Sequence, residues 1–300
     1  MTTYELIGAS QVGLIFGLVA IGAFLSFRVL DFPDLTVEGS FPLGAAVTAM
    51  LIGSFGWNPW AATLAAAPAG LVAGFVTAFL NVRYNILHIL SGILVSIALY
   101  SINLRIMGGP NRPLLGVDTV FSAFGRFHLP SDVSSLLILG LFTVIAKIGL
   151  DLFLATGIGI SVRAAGSNPA MAAANGIDVG RMKLIGIGLA NALTAVAGAL
   201  FAQLFGAADI YMGIGVVIVG LASVIVGMAI LPVRSVFQAT FACVVGALIY
   251  RLAVALALNI DALGLHASDV QLVTAVLVAS TLIWQSRPVR KRRTTGNATS

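Results

Sequence analysis

SVRAAGSNPAMAAANGIDV, Ser161 to Val179, is a short polar run between two long apolar stretches, and it has the parts of a small capped helix. Asn168 is a good N-cap, and Pro169 fits the first helical position, where an N–H has no partner anyway. The alanines propagate the helix and Gly176 supplies a left-handed stop, so about two turns are expected. Lys147 and Arg163 stand ahead of the run and Arg181 and Lys183 behind it. Short cytoplasmic loops carry the excess of Lys and Arg, so the run is placed in the cytoplasm. A stiff cytoplasmic helix between membrane spans suits docking.

Composition fixes the solvent. With 59% hydrophobic and only 9% charged residues, a soluble fold would leave too much apolar surface in water. The expected class is an all-α polytopic membrane protein, a single transmembrane domain over 1–286 followed by a basic cytoplasmic tail over 287–300. The net charge of +5 gathers in that tail at Arg287, Arg290, Lys291, Arg292 and Arg293, which reads as an anchor beside anionic lipid and not as a nucleic-acid surface. Cys243 stands alone in an apolar run, so no disulfide framework is expected. Glu5 replaces the basic start of a signal peptide, and the first span is read as uncleaved.

Apolar stretches run over about 8–27, 36–53, 60–82, 86–107, 133–155, 182–204, 213–231, 235–257 and 268–286. Nine crossings put the basic tail and the capped helix on the same, cytoplasmic side, with four crossings between them. The N-terminus, the loop 108–132 and the turn 259–269 then lie outside.

Shifted by about 175 residues, DFPDLTVEGSFPLGAAV (Asp31–Val47) falls against FGAADIYMGIGVVIVGLASV (Phe205–Val224). An odd number of crossings separates the two, so true repeats would be inverted copies with a substrate route at their interface. A chance match of two hydrophobic patterns is the alternative. Pro33, Gly39 and Pro42 interrupt the first segment, and Gly206, Gly213, Gly215 and Gly220 the second. Broken helix at membrane depth is tolerated where protein or a wet cavity satisfies the freed backbone groups. Thr36, Glu38, Ser40, Tyr211 and Met212 are therefore the candidate path residues, with Arg28 or Arg83 as a partner for Glu38; the plainer reading makes them interfacial loop residues.

Other conspicuous residues have structural readings. Lys147 and Asp151, four apart, form a shielded ion pair in preference to a proton relay. Gly13 with Gly17, and Gly70 with Gly74, have the spacing of close helix packing. His88, His128 and His266 are scattered, so no metal site is expected. A P-loop needs a lysine directly after glycine, and the lysines here follow Ala146, Met182 and Arg290. No enzyme activity, catalytic residue or bound cofactor is expected in this chain. ATP hydrolysis, if it drives the protein, belongs to a partner.

RAAGSNPAMAAANGI resembles the coupling-helix segment of permease subunits of bacterial ABC importers of the branched-chain amino acid and ribose class. DLTVEGSFPLGAAV, SGILVSIALYSINLRIMGGPN and MGIGVVIVGLASVIVG are similar, more narrowly, to permeases of tryptophan/tyrosine-type ABC importers. The resemblance implies a homodimer in the bacterial inner membrane, with two cytoplasmic ATPase subunits and an extracytoplasmic binding protein that delivers a small solute, an amino acid with an aromatic one among the candidates. It also implies inverted halves related to the fold of the vitamin B12 importer permease. Arg163, Ala164, Gly166, Asn168, Pro169, Ala173 and Gly176, in a coupling helix over about 162–177, would carry the contact with the ATPase. Two other classes fit parts of the sequence: an ion-coupled secondary transporter using Glu38 or Asp209, and a non-transport membrane scaffold.

Overall fold

The computed structural model describes residues 3–122 and 131–258, together with the single helical positions Leu272, Ala275, Val276, Ala279 and Ser280. Helix α1 (Thr3–Ala23) continues through a π-helical turn (Phe24–Val29), and α2 (Val37–Phe55), α3 (Pro59–Tyr84), α4 (His88–Met107) and α5 (Ser131–Ala155) follow. Two short helices, α6 (Gly157–Ser167) and α7 (Pro169–Ala174), lead into α8 (Val179–Phe205), α9 (Val216–Ile230) and α10 (Val236–Leu258). Two three-residue strands, β1 (Asn111–Pro113) and β2 (Ala207–Asp209), pair antiparallel with Asn111 opposite Asp209.

Among the described residues, eight helical segments are long and apolar enough to cross a membrane, from Tyr4–Val29 to Val236–Leu258. Their ends fall within four residues of the expected stretches. The ninth stretch, 268–286, lies outside the described residues apart from the single positions named above, as do the turn 259–269, His128, His266 and the tail 287–300. The all-α polytopic architecture is as expected.

The chain breaks near Pro33 and at Gly206, Gly213 and Gly215 as expected, but α2 runs unbroken through Gly39 and Pro42 and α9 through Gly220, where Gly39 packs closely on α4 and Gly220 on α1. After the π turn, Asp31 takes a left-handed φ of 50°, the chain reverses, and an extended stretch leads to α2. After α8, Gly206 (φ 71°) closes the helix. β2 and a 3₁₀ turn (Ile210–Gly213) then lead to Gly215 (φ 79°), the cap of α9. The helices beyond these breaks are the shortest spans, 19 residues for α2 and 15 for α9.

The packing obeys an exchange rule. α2 and α3 both pack on α8 and on each other; α9 and α10 both pack on α1 and on each other. Exchanging α1, α2 and α3 with α8, α9 and α10 leaves this pattern unchanged. The offset is sharp at the breaks: Asp34 Oδ1 accepts the Thr36 N–H at 2.8 Å, and Asp209 Oδ1 accepts the Tyr211 N–H at 2.7 Å, so both members of the turn lie 175 residues apart. From the start of α1 to the start of α8 the chain runs through five spans, an odd number, which makes the halves inverted. The weak echo in the sequence is thus carried by matched turns and matched packing.

Lipid tails are as apolar as leucine, so helix association here depends on close packing and polar contacts and not on removal from water. Glycines provide the close packing. A Cβ on Gly44 or Gly198 would collide with the backbone carbonyl of Ala195 or Phe41 across the α2–α8 contact. Gly70 and Gly74 meet the α8 backbone at Asn191 and Ile187, while Gly13 meets Leu248 of α10, the equivalent place in the other half. The small-residue spacings of the sequence therefore report helix packing.

At the centre, polar groups satisfy one another. Asn191 of α8 donates to Asp34 Oδ2 at 2.6 Å and to the Ile187 carbonyl at 3.0 Å, and it accepts from Ser40 Oγ at 2.7 Å. Thr36 and Thr77 hydroxyls bond at 2.6 Å. All five side chains are fully buried.

Candidate functional site

The two broken segments meet. Pro42 has no N–H to bond the carbonyl of Glu38, and Gly213 packs its backbone over that carbonyl, where any Cβ would collide. Glu38 Oε1 accepts the N–H of Gly215 at 3.2 Å. Gly215 caps α9 with no side chain of its own, so a carboxylate from one half sits at the positive helix end of the other. Neither Arg28 nor Arg83 is its partner, contrary to expectation; the acid is matched by a backbone donor.

A cavity of about 340 Å³ opens beside this junction, lined among others by Glu38, Ser96, Tyr100, Asn103 and Tyr211. That volume lies in the range that takes small molecules. The Tyr100 and Tyr211 rings stand 6.4 Å apart at 51°. Asn103 is fully buried; its Nδ2 donates to the Gly39 carbonyl at 3.2 Å while its Oδ1 has no hydrogen-bond partner among the described residues. A carboxylate and two rings form a set suited to a small cation-bearing or aromatic solute, with the unpartnered amide oxygen of Asn103 buried behind them.

Of the candidate path residues, Glu38 and Tyr211 line this cavity, but Thr36, Ser40 and Met212 do not. Thr36 and Ser40 are one helical turn apart and so share a face, the one turned to Thr77 and Asn191, whereas Glu38 lies two residues from each, on the opposite side. Met212 and Tyr211 are neighbours in a 3₁₀ turn, where successive residues are about 120° apart. Tyr211 is exposed, and Met212 packs on the core. The α4 residues were missed, although Ser96, Tyr100 and Asn103 are spaced i, i+4, i+7, a polar stripe on one helix face.

The polar run of the sequence forms two helices instead of one over 162–177. α6 has its own cap, Thr156 Oγ1 accepting from the Gly159 N–H at 3.2 Å. It ends at Asn168, held extended (φ −153°, ψ 94°) because the following Pro169 disfavours helical backbone there. Asn168 Oδ1 accepts from the Met171 N–H at 3.0 Å and starts the six-residue α7. At its other end the Gly176 N–H reaches the Ala173 carbonyl and the Ile177 N–H that of Ala172, both at 3.0 Å, a Schellman stop with Gly176 at φ 79°. Ala173 and Met171 are exposed on α7. Arg163, Ala164 and Gly166 belong to α6, where Gly166 lies against the backbone of Val29.

A family model described as "Branched-chain amino acid transport system / permease component" matches residues 6–283. The chain belongs to this permease family. It is 35% identical over 269 residues to the tyrosine transport system permease protein of Clostridioides difficile (strain R20291), covering 90% of this chain and 87% of that one. It is 31% identical over 287 residues to the uncharacterized protein RP368 of Rickettsia prowazekii (strain Madrid E), covering 91% of this chain and 95% of that one. No solved structure matches the permease.

Two further polar sites in the permease are self-contained. Lys147 and Asp151 pair at 2.5 Å on α5; Thr240 of α10 donates to Asp151 at 2.7 Å and the Phe237 ring lies over the ammonium. Such matched groups are structural, as their spacing indicated. His88 stacks edge-on against Phe32 at 4.4 Å, with Lys183 Nζ 3.3 Å from its Nε2.

The cap of α7 gives a direct test of its role. Gly176→Val forces a β-branched residue to φ 79°, which costs about 1 kcal/mol or more and alters the entry into α8. The permease should still fold, while stimulation of any ATPase that docks on α7 should drop several-fold; an unchanged rate would exclude α7 as a docking element.

Proposed function

We propose that the permease is the membrane subunit of an ATP-driven importer in the bacterial inner membrane. It acts as a homodimer with two cytoplasmic ATPase subunits and receives a small amino acid, aromatic in class, from an extracytoplasmic binding protein. Family membership supports the permease role, and the name of the C. difficile relative supports the aromatic class. The chain's direction supports the orientation: if the spans alternate, Arg28, Arg83, Lys147, Arg163, Arg181, Lys183 and Arg234 fall toward the end that carries α7, against Arg105, Arg112 and Arg251 toward the other. That asymmetry supports a cytoplasmic α7 and an N-terminus outside.

The observation that carries the reading is the junction of the broken segments. Glu38 ties α2 to the cap of α9 beside the cavity of Tyr100, Asn103 and Tyr211, at the interface of inverted halves where alternating access places a route. When the halves rock against each other, that contact opens or closes. The ammonium of an amino acid can pass the Glu38 carboxylate while its ring slides along the tyrosines. The contacts are few, so the solute leaves as readily as it enters. Transmission from the ATPases enters at α7, and the elbow at Asn168 passes it to α6, which packs on the π turn of α1 and on α8.

Glu38→Gln is the discriminating substitution, because the amide oxygen still accepts from Gly215 while the charge is lost. Uptake should fall roughly tenfold, one charge-assisted contact in a shielded site, with assembly and basal ATP hydrolysis intact. Equal loss of uptake and of assembly would mean that Glu38 is only a capping group.

A further inference from the structure

We propose that the end of the permease carrying α7 holds a binding site for an anionic phospholipid, with the phosphate among Arg28, Arg163 and Arg234 and an acyl chain in the groove beside Leu152 and Phe237. These residues come together from separate elements. Arg28 lies on the π turn of α1, Arg163 on α6, and Arg234 in the connection between α9 and α10, and all three line one cavity of about 540 Å³. No carboxylate lines it. The cavity also takes in Ser235 and Val236, the start of the 23-residue α10, whose amino end adds partial positive charge. Guanidinium forks match the paired oxygens of a phosphodiester, and three of them around one space leave an excess of unspent charge.

A second cavity of about 350 Å³ adjoins the first, sharing Arg163 and Val236 with it. Its walls are apolar, chiefly Ile148, Leu152, Leu154 and Phe237, and its one acid, Asp151, is already matched by Lys147 and Thr240. Ile148, Leu152 and Phe237 are 47%, 65% and 61% exposed on the spans α5 and α10, so the groove opens toward the hydrocarbon and not toward water. A basic pocket that continues into a lipid-facing apolar groove matches an amphipath with a phosphate head. Free phosphate would leave the groove empty, and an acidic segment of a partner protein would satisfy the arginines without it. Basic pockets between spans on the cytoplasmic side are where acidic lipid heads are held. Arg163 and Ser167 of α6 border the site, and α7 begins two residues beyond Ser167, so a bound lipid would brace the elbow from below.

The test is a thermal-unfolding titration of the full-length permease in detergent micelles with phosphatidylglycerol, phosphatidylcholine or inorganic phosphate. Phosphatidylglycerol should raise the unfolding temperature saturably, and the other two should not. In Arg28→Gln/Arg234→Gln, the phosphatidylglycerol midpoint should move to at least tenfold higher lipid, while Arg28→Lys/Arg234→Lys, which keeps the charge but loses the fork, should fall between that variant and the wild type. Leu152→Ser should weaken binding of the lipid with its arginines intact. The glutamine variant should unfold at the wild-type temperature before lipid is added, which separates lost binding from lost folding. If its unlipidated temperature falls, a lipid midpoint raised modestly in the lysine variant and raised in Leu152→Ser, both at wild-type unlipidated temperature, still supports the site. An equal response to phosphatidylcholine, a response to inorganic phosphate, or unchanged lipid binding in the glutamine variant would overturn the proposal. So would loss of ATPase association in lipid-free micelles with lipid binding unaltered, which would give the arginines to a protein partner.

Discussion

Asn191→Leu should leave little folded permease in the membrane. The amide is the hub of the buried centre, holding the Asp34 carboxylate at 2.6 Å and receiving the Ser40 hydroxyl at 2.7 Å. Leucine fills similar space but offers no polar atom. Asp34 is fully buried, and among the hydrogen bonds described for its carboxylate it would keep only those from Thr36. Leaving a buried polar group without its partner costs about 1–3 kcal/mol, because the group stays desolvated, and here Asp34 and Ser40 both lose theirs. Fluorescence-detected size-exclusion should show the monodisperse peak collapse and its melting temperature drop. The double variant Asn191→Leu/Asp34→Leu removes both ends, and it should lose clearly less than the sum of the single variants. Strict additivity would show that the two side chains are not coupled.

Gly44→Ala should be nearly as damaging, although it adds a single methyl. On the α2–α8 contact the new Cβ would lie inside the space of the Ala195 carbonyl, which is backbone and cannot rotate away. The helices must separate, and every contact along that line weakens, including Ser40 to Asn191. Overpacking of this kind costs about 1–3 kcal/mol and more when rigid backbone is the obstacle. The control is Gly149→Ala on α5, where an added Cβ meets nothing within 4 Å. There the change should be neutral or slightly stabilising, since alanine is the better helix former. Equal melting temperatures for the two variants would contradict the packing described here.

The capped helix was legible residue by residue because its signals are local. Asn168, Pro169 and Gly176 act through their own backbone and need no partner. Its extent was not: the same Pro169 that starts α7 also ends α6, so one expected helix is two. The inverted halves were visible only as a faint echo, since matched turns at Asp34 and Asp209 can coexist with unlike apolar residues around them. Site residues were the least legible. Glu38 stood out as a carboxylate in an apolar chain, yet the facing of Thr36 and Ser40 depends on where α8 packs, which periodicity does not state. Asn191 was overlooked despite being a lone amide deep in an apolar span, the kind of residue that must have a partner. Asn103 and Tyr100 were hidden in a motif read for its resemblance and not for its helical stripe.

The most direct test of the account is accumulation of radiolabelled tyrosine by proteoliposomes containing the permease, its ATPase subunits and its binding protein. Uptake should require ATP on the side that carries α7, should persist when proton and sodium gradients are collapsed, and should disappear when the ATPase subunits are left out. Uptake by the permease alone, driven by an imposed ion gradient without ATP, would contradict the account and place Glu38 in an ion-coupled transporter instead.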